Sequence, residues 1–308
     1  GQRVYVPNHA VFVNSSTVLP SSKGLAFTQE SIEKLIWNQI IRHGWPINSK
    51  AIYTVFFRGD FTTSGWLTEW CGYHSAFTNS NGTVRYAVVG DASTSKSSLN
   101  IACLYNQGPI TPNGNVGADS MASVFAHEVA EIVTDYMMDA WYFISSENEN
   151  GDMCLGDFGP VTDNSNIRLG SKYFLIQRMW LPGYGCSMTN VTSSSSVAPT
   201  SSPTIRGTSA TSPTSSPSRL GDIVYHNEGA VLTGPNTFYN IFVGNIDNGT
   251  KALVNEFASN ISTSTWFNVL TYYYQSKNAV KSFVSKSATF GGSISVQSAA
   301  SSLIITTQ

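Results

Sequence analysis

His127, Glu128 and Glu131 are the residues of this chain whose types and spacing most directly spell chemistry. His127 and Glu131 stand four apart, so on a helix both side chains leave the same face. An imidazole and a carboxylate one turn apart are ordinary zinc ligands. A carboxylate directly after the first of them, Glu128, is placed to act on a water as general base. Such helices usually end the pattern in a second His; this one ends in Glu. The extra negative charge makes any metal a poorer Lewis acid and admits Mn or Ca beside zinc. The competing reading is structural: one buried His hydrogen-bonded between two glutamates.

A catalytic zinc takes three protein ligands and a water, so a third ligand is needed. Glu149, 18 residues past Glu131, is the first candidate, with Asp152 three positions on. That spacing resembles thermolysin-like enzymes, in which a downstream glutamate completes the site and the carboxylate after it orients the first histidine, here His127. Asp135, one turn beyond Glu131, is the second candidate; its competing role is a helix-end or turn residue. His74, beside Cys71, is the third, with a loop histidine as the alternative. His9, His43 and His226 have no partner residues. The chain has no G-x-S-x-G or phosphate-cradling glycine loop, and its one S-x-x-K (Ser93 to Lys96) lacks supporting motifs.

The element that must present these groups is a helix predicted from Ala118 to Asp135. Met121, Val124, Phe125, Val129 and Ile132 recur at helical spacing, and Asp119 is placed to cap the start. A second helix is predicted over Thr28 to His43, stopped by Gly44. Ala51 to Phe57, Val84 to Val89 and Tyr173 to Gln177 read as strands, with a hairpin turn at 79–82. Short β-rich pieces are predicted at 4–6 and 10–13. Past residue 221, Phe238 to Gly244 reads as a strand, Thr250 to Ser259 and Thr265 to Gln275 as helices, and Gly291 to Thr307 as strands. The fold class that follows is α/β: a mixed sheet of the Ala51, Val84 and Tyr173 runs flanked by helices, among them the zincin-like motif helix.

Only 12% of the 308 residues are charged, and the net charge is −2. That balance gives no electrostatic case for nucleic acid or an anionic membrane. No apolar run approaches the ~18 residues of a membrane span. Five glycosylation sequons (Asn14, Asn81, Asn190, Asn248, Asn260) and four cysteines point to an extracellular setting. The cysteines allow three pairings, of which chain order favours Cys71–Cys103 with Cys154–Cys186. No signal peptide is visible and the chain opens on Gly1, as a processed form or a fragment would. Residues 189–218 are dominated by Ser, Thr and Pro, a linker between a body at 1–188 and a second segment at 219–308.

Taken together, Cys71-Gly-Tyr-His74, Thr111 to Met121 and Asp139-Ala-Trp-Tyr142 resemble the EXORDIUM, or phosphate-induced protein, family over roughly residues 45–188. Thr134-Asp135 and Glu149 to Cys154 resemble its microbial, H-E-x-x-E-bearing branch. The family's usual cysteine pair near 93–103 is represented by Cys103 alone. Val231 to Asn245 and Trp266 to Tyr274 resemble the front of a family module, yet lie behind the body. The chain thus reads as a cut across a tandem array or as a permuted module whose front segment docks onto the body. The resemblance implies a secreted protein meeting an extracellular substrate or cell-wall component. The leading expectation is a zinc-dependent, peptidase-like hydrolase: His127, Glu131 and Glu149 bind the metal and Glu128 activates the water. The alternatives are a non-catalytic cell-wall or cell-surface protein with a structural metal or polar cluster, and a modular adhesion or display protein.

Overall fold

The computed structural model describes residues 27–58, 64–94, 103–104, 111–189, 222–226 and 228–296. Among the described residues the α-helices are α1 (Gln29–His43), α2 (Val116–Asp135), α3 (Asn248–Asn260) and α4 (Thr265–Leu270). Strands β1 (Ala51–Arg58), β2 (Gly72–Asn79) and β3 (Gly82–Asp91) precede α2. Short strands follow it: β4 (Trp141–Tyr142), β5 (Ile167–Leu169), β6 (Lys172–Phe174), β7 (Met179–Leu181), β8 (Gly185–Ser187) and β9 (Val224–Tyr225). The last are β10 (Asn236–Val243), β11 (Tyr274–Lys277), β12 (Val280–Phe283) and β13 (Ala288–Val296).

One mixed five-stranded sheet, in the order β13-β10-β1-β3-β2, carries the fold. The first four strands run parallel and β2 turns back antiparallel on β3 at one edge. β1 is the middle strand, and AIYTVFF is buried along its whole length, the run expected of a parallel strand covered on both faces. Neighbouring residues of β1 point to opposite faces. Phe57 stacks on Phe27 at the entry to α1, while Phe56 meets Phe125 of α2 edge-on. Phe125 also touches Phe238 of β10 and Phe257 of α3, so α2 and α3 share the face opposite α1.

Gly44 ends α1 in the left-handed conformation, the stop that the sequence predicts, and Thr28 lies just outside the helix as its cap. The start of α2 differs from expectation. Asn115 is its cap, accepting from the Ala118 N–H, and the helix begins at Val116. Asp119 instead accepts two bonds from Asn113, fastening the preceding loop. The Tyr173 run is not in the main sheet. Only residues 172–174 are extended, in a ribbon with β5, because chain reversal at 170–171 satisfies their backbone locally. The predicted 265–275 helix stops at Leu270, and Tyr274 opens the β11–β12 hairpin. β10 pairs with β1, so residues before and after the Ser/Thr/Pro-rich stretch share one sheet. The predicted pieces at 4–6 and 10–13, that stretch beyond Thr189, and residues past Val296 lie outside the described residues.

Both disulfides follow chain order, Cys71–Cys103 and Cys154–Cys186. No described helix is long and apolar enough to cross a membrane.

Candidate metal centre

α2 is buried from Gly117 to Asp135, so its polar side chains cannot turn to solvent. His127, Glu128 and Glu131 are each 3% exposed. Three neighbours meet them. His74 comes from β2, whose inward side chains face α2, and Glu149 and Asp152 come from the loop after β4. A glycine lets that loop in: a Cβ on Gly151 would lie 2.8 Å from both Glu131 Oε1 and His127 Nδ1.

Glu131 lies at the middle. Its Oε1 is 3.1 Å from His127 Nε2 and its Oε2 is 3.3 Å from His74 Nδ1. His74 Nδ1 is also 3.4 Å from Glu128 Oε2, and its Nε2 is 3.6 Å from Glu149 Oε2. Asp152 Oδ1 stands 3.6 Å from His127 Nε2. The structure therefore places His127 against Glu131 and Asp152, and Glu149 against His74. His74 is a strand residue inside the cluster, not a loop histidine. Asp135 is outside it, where its carboxylate accepts the backbone N–H groups of Asp139, Ala140 and Trp141 and clamps the turn after α2.

Gln177 is the contact that sequence reasoning missed. Its Nε2 donates to the Gly151 carbonyl at 2.7 Å, which turns its Oε1 toward His127 Nδ1 at 3.2 Å. An imidazole donating from Nδ1 presents Nε2 to Glu131 and Asp152. Trp266 Nε1 in turn donates to the Gln177 carbonyl, tying α4 to the same support. No local pattern around Gln177 announces this, because its partner is 50 residues away.

The electrostatics are unbalanced. Glu128, Glu131, Glu149 and Asp152 can carry four negative charges, against two from His74 and His127. Burial pushes the carboxyls of Glu128 and Glu149 up, and that of Asp152 to about 7. Burial disfavours charge on His127, but the Glu131 carboxylate outweighs it and raises the imidazole to about 10. Burial disfavours charge on His74 too, but Glu149, Glu128 and Glu131 together raise it well above its ordinary value. Burial opposes ionisation of Glu131 too, yet the two imidazoles hold it below the usual range. Cation-free, the cluster holds together by keeping protons.

Several of these atoms make no regular hydrogen bond. His74 Nε2, Glu131 Oε1, Glu149 Oε1 and Asp152 Oδ1 are buried with no hydrogen bond. Two triads offer ligand atoms within 4.8 Å of one another: His74, Glu131 and Glu149, and His127, Glu128 and Glu131. These donors fit a divalent cation. Ligands ~2.0–2.2 Å from a tetrahedral ion stand ~3.4 Å apart, close to the separations seen here and long for hydrogen bonds.

The described architecture is a mixed α/β fold closed by two disulfides around a buried His/carboxylate cluster. The family model for the phosphate-induced protein 1 conserved region matches residues 6–166, and the chain belongs to that family. Among curated relatives, EXORDIUM-like 5 of Arabidopsis thaliana is 29% identical over 204 residues, 55% of this chain and 55% of its own length. EXORDIUM-like 3 of the same plant is 29% identical over 191 residues, 52% of this chain and 56% of its own. The chain thus spans about half the length of these relatives. No solved structure matches it.

Proposed function

We propose that this chain is an extracellular member of the family whose buried centre binds a divalent cation, zinc first, and that the ion braces the fold. Glu131 would be the central ligand, with His127, His74 and Glu149 around it. Gln177 would orient His127 from Nδ1, and Asp152, which faces Nε2, would be a further carboxylate donor. The carrying observation is a set of four carboxylates and two imidazoles facing one another at ligand spacing, their side chains at most 10% exposed. An excess of buried carboxylate is costly unless a cation matches it. The ion would join α2, β2 and the 149–152 loop, which hydrogen bonds alone leave incompletely satisfied. Two disulfides and the absence of a membrane-spanning helix among the described residues fit a secreted setting. Elemental analysis of purified protein tests the reading: stoichiometric metal is expected, and a metal-free protein that stays metal-free when offered Zn2+ would end it.

A second reading is a metal-dependent, peptidase-like hydrolase. Glu128 favours it, because burial keeps a proton within its reach and its carboxyl points into the cluster beside His74. The metal would supply a polarising charge, and Glu128 would take and return the proton. Enclosure of the cluster weighs against turnover; one open pocket among the described residues, ≈ 370 Å³ and lined by Trp141, Tyr225, Tyr274 and Lys281 among others, lies apart from it. Glu128→Gln is the discriminating variant: under this reading peptide hydrolysis disappears while bound metal is retained. Retained hydrolysis rules the reading out, and metal lost from the variant makes Glu128 a ligand.

A further inference from the structure

We infer that the centre holds two divalent cations bridged by Glu131. This rests on the cation-binding reading above and goes beyond it in number and arrangement. The two oxygens of Glu131 face opposite ways: Oε1 toward His127 Nε2 at 3.1 Å, Oε2 toward His74 Nδ1 at 3.3 Å. A carboxylate with a different imidazole at each oxygen is placed as a bridge. Each side then has a carboxylate of its own. Asp152 Oδ1 is 3.6 Å from the same His127 Nε2, and Glu149 offers an oxygen within 4.8 Å of ligand atoms of both His74 and Glu131.

The atoms without a hydrogen bond divide the same way. Asp152 Oδ1 and Glu131 Oε1 lack hydrogen bonds on the His127 side, and Glu149 Oε1 and His74 Nε2 lack them on the His74 side. The side chains of His74, Glu131 and Asp152 are more than nine-tenths buried, so solvent does not satisfy them. Charge points to the same number. One dication leaves two of the four carboxylate charges of Glu128, Glu131, Glu149 and Asp152 uncompensated in a buried site; two dications match all four. One imidazole and carboxylate oxygens at each position suit Mn2+ or Zn2+.

The test is metal content after reloading. Protein stripped by a chelator, offered Mn2+ alone and desalted should carry two Mn2+ per chain, with the paramagnetic resonance spectrum of a coupled pair. Glu149→Gln and Asp152→Asn should each retain one ion and give the spectrum of an isolated one. One Mn2+ per unsubstituted chain overturns the two-cation inference and leaves the single-cation reading standing; none overturns both. Circular dichroism checks that the variants fold, and if one does not, the ratio for the unsubstituted protein decides alone.

Discussion

Gly151 is where one hydrogen atom decides whether the cluster can assemble. A methyl group there would lie 2.8 Å from Glu131 Oε1 and 2.8 Å from His127 Nδ1, both on a buried helix that cannot retreat. Gly151→Ala is expected to destabilise the fold by about 1–3 kcal/mol. It should also weaken metal binding at least tenfold, read by titrating the chelator-stripped variant with Zn2+. Gln177→Leu removes the acceptor at His127 Nδ1 and should cost ~10–100-fold in affinity, the usual effect of losing an orienting partner.

Protonation gives a third outcome at this scale. The raised pKa values of His127 (about 10) and Asp152 (about 7) mean that the folded, cation-free protein binds more protons than the unfolded chain. The His127 contribution is complete below its unfolded value of 6.5 and fades as pH rises toward 10. That of Asp152 fades between 3.8 and about 7. Glu131, held low, contributes above its ordinary 4.5 and loses its effect only in acid. The cation-free protein should therefore lose thermal stability from about pH 5 to about pH 9. Added Zn2+ should restore it most strongly at the alkaline end, where fewer protons must leave. A calorimetric Tm series with and without Zn2+ checks this.

Elements explain what was legible in the sequence. The α2 helix could be read because its apolar residues keep helical spacing, and β1 because a strand buried on both faces is apolar throughout. His127, Glu128 and Glu131 came with the helix, since their relation is local. His74 could be named only as one of three candidates and Gln177 not at all, because each reaches the cluster through tertiary placement: one by the β2 register on β3, the other by a hydrogen bond to the Gly151 carbonyl. The cap of α2 was misassigned because Asn and Asp are both good cap residues, and which one serves depended on the loop that Asp119 fastens. The same geometry predicts where packing matters most. Phe125 touches Phe56, Phe238 and Phe257, so Phe125→Ala should cost about 3–5 kcal/mol and lower the denaturation midpoint without altering its slope.

For the whole molecule, the decisive contact is β10 against β1, which places residues from both sides of the Ser/Thr/Pro-rich stretch in one sheet. Trp266, Phe257 and Phe242 are buried with the body's own aromatics. A protease cut between Thr189 and Asp222 is therefore expected to leave two pieces that co-elute by gel filtration and part only in denaturant. Pieces that separate freely in native buffer would mean that the sheet does not hold them.

Cys71 lies three residues before His74, and Cys154 lies two residues after Asp152 and five after Glu149. Each cross-link thus pins a strand or loop that brings donors to α2, and the helix supplies the rest without help. A chain still carrying free thiols would offer the ion a helix with untethered arms. If the cluster binds a cation as proposed, oxidation would have to come before metal loading, and an ion delivered too early would meet a chain that has to refold before it can be filled.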